Sequence, residues 1–252
     1  MFKGTQFEFR NRYLIHLVIF IAGFMLPWDT VWPQPHGLRT WLALAEVPYR
    51  YGWLSLYAST LVVTALGLFF ALAGAVLRTW GTAYMSAGVV KDAAMHGGAV
   101  VADGPYRHVR NPLYLGTWMH TLMLALLMEP AGAIFTVIAI GLLQLRLIGG
   151  EEFFLAGTLG AEYAAYCARV PRLLPTLRAQ VPAAGRAGQW GSAILMESYF
   201  ICAAASFGVV AWRFNWILLT QCILGSLGVS IIAKAFLPAA AQHQAHDSQT
   251  SQ

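Results

Sequence analysis

From Trp53 to Leu77 the chain runs without a charged side chain. At about 1.5 Å per residue, a helix of that length crosses a hydrocarbon layer roughly 30 Å thick, with some tilt. Five further runs are nearly as apolar: Tyr13–Trp28, Leu113–Met128, Ala131–Leu145, Ala193–Trp212 and Phe214–Ala233. Charged residues make up 11% of the chain, under half the roughly 25% usual in soluble domains. In lipid a chain must satisfy its backbone polar groups internally. The pattern therefore predicts an all-α, polytopic membrane protein of about six transmembrane helices.

Six spans put both termini on one face. The sixteen Lys and Arg residues then divide 13 to 3, with only Arg39, Arg50 and Arg213 on the opposite face. The positive-inside rule makes the richer face the cytoplasm. The expected setting is a bacterial inner membrane with both termini cytoplasmic, among membrane lipids. This topology accounts for the net charge of +5, so nucleic-acid binding is not needed to explain it. Cys167, Cys202 and Cys222 lie far apart without a C-x-x-C pair, so neither a disulfide framework nor a metal site is expected. Nothing before the first apolar run has a cleavage-site pattern, and that run is expected to be a retained helix. The sequence leaves the oligomeric state open.

The chain divides into residues 1–75 with the first two spans, a core at 76–176, a linker at 177–192, two more spans at 193–236 and a polar tail at 237–252. An interfacial helix is expected around Leu38–Ala45, and a short strand and turn over Gly98–Pro105. Trp28, Trp32, Trp41, Trp53 and Trp80 suit an interfacial belt.

The chemistry concentrates in the core. Asp103-Gly104-Pro105 has turn character, because Gly permits positive φ and Pro fixes its own. Pro112 suits the first turn of a helix. Arg107, His108, Arg110 and Asn111 therefore stand where a polar loop meets a membrane helix. Glu129-Pro130 joins the next two runs closely enough to make them antiparallel neighbours. That hairpin returns Glu151-Glu152 to the face that carries Arg110. A helix start offers free N–H groups and a positive dipole end to a polar ligand. The acid pair can accept hydroxyl or ammonium groups, or it can serve only as N-terminal charge bias for the following helix. That helix, Glu151–Arg169, is predicted to be amphipathic from Phe154, Leu155, Leu159, Tyr163 and Tyr166. Pro171 and Pro175 end it. His16, His120, Gln144, Glu197 and Gln221 lie in or near apolar runs. Helix–helix hydrogen bonding is the expected role of the His and Gln residues, while Glu197 sits near the cytoplasmic end of its run.

Gly104-Pro-Tyr-Arg-His-Val-Arg-Asn-Pro-Leu-Tyr-Leu-Gly116, an apolar hairpin, Glu151-Glu152, Leu159-Gly-x-Glu-Tyr-x-x-Tyr166 and Arg169-Val-Pro…Pro175 together resemble the isoprenylcysteine carboxyl methyltransferase family and the related phospholipid methyltransferases. The resemblance covers about residues 76–176. It implies a transferase that binds S-adenosylmethionine in a cytosolic layer, with a membrane route for a lipophilic acceptor. The same resemblance assigns catalytic roles to Arg110, Asn111, Glu151 and Glu152. Cofactor contacts would come from these four and from Tyr106, His108, Pro112, Tyr114, Gly116, Tyr163 and Arg169. Asn111 stands where the family pattern often has His, which removes a titratable group. An isoprenylcysteine-like carboxylate is the first acceptor class implied; a small thiol and a phospholipid amine are the others. A membrane scaffold or small transporter is the non-enzymatic alternative.

Overall fold

The computed structural model describes residues 4–31, 37–85 and 102–236. Every regular element among them is helical. In chain order these are α1 (Gln6–Arg10), α2 (Arg12–Met25), α3 (Trp28–Val31), α4 (Thr40–Arg50), α5 (Leu56–Met85), a 3-10 turn (Gly104–Arg107), α6 (Pro112–Ala125), α7 (Pro130–Arg169), α8 (Trp190–Met196), α9 (Ser198–Val210), a second 3-10 turn (Ala211–Arg213) and α10 (Trp216–Ala235). Among the described residues, α5, α7 and α10 are long and apolar enough to cross a membrane. The α8–α9 pair makes a fourth if its 69° bend lies within one span.

The first and third expected runs give helices of 14 residues each, only about 21 Å long at 1.5 Å per residue. The first, α2, stops at Met25 because Leu26 is extended and precedes Pro27, which disfavours helical backbone in the residue before it. The third, α6, tightens at its end. Leu126, Leu127 and Met128 each donate a backbone hydrogen bond three residues back, carrying the turns on to Met128.

One helix, α7, joins what the sequence divides into a membrane helix and an amphipathic one. It passes unbroken through Gly149-Gly150 and bends at Gly160, whose φ of 56° and ψ of −129° are not helical. Gly150 is small for a packing reason: an added Cβ there would lie 2.6 Å from the Phe9 ring and 3.3 Å from Gly4 O. The bend sets the far end of α7 against the loop before α6. Tyr163, Tyr166, Val170 and Ala102 form a small buried cluster there, flanked by Leu155 and Leu159, whereas Phe154 points outward.

The main core lies between α4, α5, α6, α9 and α10, around Trp41, Met123, Leu127, Phe207 and Leu219. Trp41 is therefore not a belt residue. It is buried, and its indole N–H donates to Thr64 Oγ1 on α5 at 3.0 Å. A helix does stand where one is expected around Leu38–Ala45: α4, fastened at its start by Thr40 N–H to Met128 O and Trp41 N–H to Leu126 O. Helices α5 and α6 come into backbone contact where Gly74 faces Gly116; a Cβ on Gly74 would lie 2.9 Å from Gly116 O. The N-terminal segment lies along α7, with Gly4 N–H bonded to Arg146 O at 2.7 Å and Glu8 paired with Arg146 at 2.6 Å. Residues 98–101, half of the strand and turn expected over Gly98–Pro105, and all of the tail at 237–252 lie outside the described residues. From Gly104 the chain forms the 3-10 turn.

Candidate functional site

The site begins at the turn the sequence marks out. Gly104 has φ +53°, and a Cβ there would strike the Tyr84 ring, so glycine is required on both counts. Buried Asp103 accepts backbone N–H groups from Ala184 at 2.9 Å and Arg186 at 3.2 Å. These bonds hold the linker after α7 over the loop. Farther along, Arg107 Nε donates to Val181 O at 2.9 Å. His108 Nδ1 lies 2.7 Å from Thr176 O; a carbonyl only accepts, so that nitrogen carries the proton. Arg110 N–H donates to Pro171 O at 2.9 Å.

Asn111 occupies the N-cap of α6 and Pro112 the first turn, but Asn111 makes no side-chain cap. An N-cap side chain usually accepts from the first turn. Here the Asn111 amide turns away and donates to Glu152 Oε1 at 3.2 Å and Arg172 O at 3.1 Å. The first turn of α6 is thereby left without a side-chain acceptor.

Glu152 is the hub. Arg110 Nε lies 3.3 Å from Oε1, and Arg172 Nη2 lies 2.8 Å from Oε2. The Arg110 contact is an ion pair by distance but not an aligned hydrogen bond, and the Nε atoms of both arginines are buried without a hydrogen-bond partner. Arg110 Nη1 also donates to Cys167 O at 3.2 Å. Glu151 takes a different partner, accepting the Tyr114 hydroxyl on Oε2 at 3.0 Å. Residues about forty apart in sequence thus share one site through the hairpin, and Cys167 and Arg172 join it from beyond the bend at Gly160.

Tyr166 O–H donates to Tyr106 O at 2.7 Å. Burial, and then the nearby Glu151 charge, push the Tyr106 hydroxyl well above its ordinary range. It stays a neutral donor, 3.4 Å from Gly81 O. Tyr163 packs in the small buried cluster with Tyr166. Gly116 faces α5, where an added Cβ would lie 2.7 Å from Arg78 Cγ. Arg169 is exposed at the end of α7, apart from the acid cluster.

Two arginines were not singled out by sequence. Arg172 has a visible signal only in hindsight, standing one residue beyond the Pro171 that ends α7. Arg78 lies just past an apolar run and reads there as a flanking charge. In the fold it pairs with Glu197: Nε to Oε2 at 2.6 Å and Nη2 to Oε1 at 3.0 Å. Thr82 O–H also donates to Glu197 Oε1, at 2.6 Å. Among the other apolar-run residues, His120 Nε2 meets the Tyr199 hydroxyl at 3.0 Å between α6 and α9. His16 Nδ1 instead donates within its own helix, to Arg12 O at 2.6 Å. Gln144 is buried with no hydrogen-bond partner for Nε2, and Gln221 is exposed.

Comparison with protein-family models, curated proteins and solved structures finds no match.

Proposed function

We propose that this chain is an S-adenosylmethionine-dependent membrane methyltransferase acting on a lipophilic acceptor, with six spans and its site on the cytoplasmic face. The observation that carries the reading is the meeting of Arg110 and Asn111 with Glu152, beside Glu151 and Tyr114. These are the two halves of the motif on which the family resemblance rests.

The donor set fits the cofactor. S-adenosylmethionine carries a carboxylate, an ammonium group and ribose hydroxyls. Arg110 and Arg172 each keep a buried Nε without a hydrogen-bond partner, and guanidinium N–H groups suit a carboxylate. The uncapped first turn of α6 adds backbone N–H groups and the positive end of the helix dipole. Glu151 can accept from a hydroxyl or the ammonium while Tyr114 holds its orientation. When bound, S-adenosylmethionine supplies an activated methyl group that an acceptor lone pair takes by in-line displacement as the sulfur–carbon bond breaks.

The chain's residues then orient the partners and exclude water, effects that contribute several kcal/mol in such reactions, on the order of 7–11 where alignment is best. Asn111 orients Glu152 and does not transfer protons. A carboxylate acceptor needs no base. An amine or thiol must lose a proton, and Glu151 is placed to take it, because Glu152 is already shared by Arg110, Asn111 and Arg172.

Methyl transfer from labelled S-adenosylmethionine, by purified protein in nanodiscs, tests the reading against three acceptor sets: lipophilic thioether carboxylates, small thiols and phospholipid amines. Preferred labelling of the first set is expected. Equal turnover of a tail-free, water-soluble thiol would move the protein to the small-thiol class, and no transfer to any acceptor would defeat the proposal.

A further inference from the structure

The last helices, α8 to α10, lie outside the region of family resemblance, yet they contribute a carboxylate to its interior. Glu197 is buried at the 69° break between α8 and α9. Arg78 on α5 binds both of its oxygens and has its guanidinium carbon 4.2 Å from the centre of the Phe200 ring on α9. The remaining end of the guanidinium points at α6: Nη1 donates to Thr117 Oγ1 at 2.7 Å and lies 3.5 Å from Leu113 O. Thr117 O–H itself bonds to Leu113 O at 3.0 Å.

Leu113 and Thr117 stand on one face of the first two turns of α6. Asn111 and Tyr114, at the start of the same helix, reach Glu152 and Glu151. The helix is thus held on one side by the acid pair and on the other by Arg78. A second observation ties the two sides together. Tyr106, in the loop that leads into α6, spans them: its hydroxyl lies 3.4 Å from Gly81 O on α5, about one turn beyond Arg78, and its carbonyl accepts from Tyr166 on α7 at 2.7 Å. Buried ionic groups within an apolar bundle are costly, and such groups mark functional elements by default.

We propose that Arg78 and Glu197 are a positioning pair, through which α8 and α9 fix the register of α6 and so the placement of Asn111 and Tyr114. The effect on the cofactor rests on the methyltransferase reading; the coupling between Glu197 and α6 does not.

The test separates positioning from packing. Removing one partner of a buried pair strands a charge, whereas replacing both with apolar residues of similar size is often neutral for stability. The double variant Arg78→Met/Glu197→Leu is compared with wild type in nanodiscs by thermal unfolding, S-adenosylmethionine affinity and amide hydrogen exchange at residues 115–120, the first amides of α6 that bond within the helix. A near-wild-type melting point is expected, with at least tenfold weaker cofactor binding and at least tenfold faster exchange. Wild-type exchange and affinity in the folded double variant would overturn the proposal. Should the double variant not fold, Glu197→Gln keeps the shape and an acceptor oxygen; the same shifts, smaller, are expected, and their absence overturns the proposal equally. If wild type binds no cofactor, the methyltransferase reading falls, and the exchange data alone still decide the coupling.

Discussion

Glu152→Gln keeps the volume and one acceptor oxygen of the hub residue but removes its charge. Two guanidiniums and the Asn111 amide then face a neutral group. Arg172 is 39% exposed and can turn to solvent, so its pair counts as a surface one, about 0.2–1 kcal/mol. Arg110 and Glu152 are each 15% exposed, and Arg110 has less room to turn away. Stranding one partner of a fully buried pair costs about 3–5 kcal/mol, and the unaligned 3.3 Å contact argues for roughly half of that. The sum is about 1.7–3.5 kcal/mol, or roughly 20- to 400-fold in an equilibrium constant. Calorimetric titration with S-adenosylmethionine in nanodiscs, alongside thermal unfolding, reads the effect. At least about 20-fold weaker binding with a lowered melting point is expected. Wild-type affinity and melting together would show that Glu152 does not balance the arginines, and the reasoning from its contacts would fail.

Arg110→Ala is expected to weaken cofactor binding far more than Arg107→Ala, since Arg107 Nε is spent on Val181 O; equal affinities in the two variants would return Arg110 to an ordinary flanking charge. Asn111→Ala removes two donated hydrogen bonds and should lower affinity or turnover without moving the pH–rate profile; a profile that shifts assigns it a role in proton transfer. The Arg146 hydrogen bond holds Glu8 down from the usual 4.5 to about 2. Its folded-state pKa lies below the unfolded one, so the stabilisation is present above about pH 4.5 and is lost as pH falls toward 2. The melting difference between wild type and Glu8→Gln should therefore be full at pH 6 and shrink between pH 4.5 and 3. Gly116→Ala drives a Cβ to within 3.0 Å of Gly74 O and should lower stability by about 1–3 kcal/mol, the usual cost of overpacking. Gly157→Ala, with open space around it, should not destabilise, and denaturant melts of the two compare them.

The helices were legible where a single physical rule governs. Uncharged runs mark α5 and α10, Pro112 marks the start of α6, and the φ of Gly104 follows from Asp-Gly-Pro turn chemistry. The juxtaposition of Arg110 with Glu152 was legible from the hairpin alone, because a short connection between two helices returns the chain to its starting face. What escaped depends on side-chain direction in three dimensions. The sequence divides a membrane helix from an amphipathic one that starts at Glu151, but the chain runs on as one helix, with Gly150 a packing notch for Phe9 and the bend at Gly160. Trp41 reads as a belt residue but lies under α5. Arg172 and Arg78 look like flanking charges, and only the fold gives them carboxylate partners. The helix break at Glu197 has no local sequence signal, since neither proline nor glycine stands there.

Equilibrium binding of S-adenosylmethionine to the purified wild-type protein in nanodiscs is the most direct measurement. Saturable binding at one site per chain is expected, lost in Arg110→Ala and competed by S-adenosylhomocysteine. A folded protein that binds no S-adenosylmethionine, or one that binds it equally well without Arg110, would contradict the proposed site.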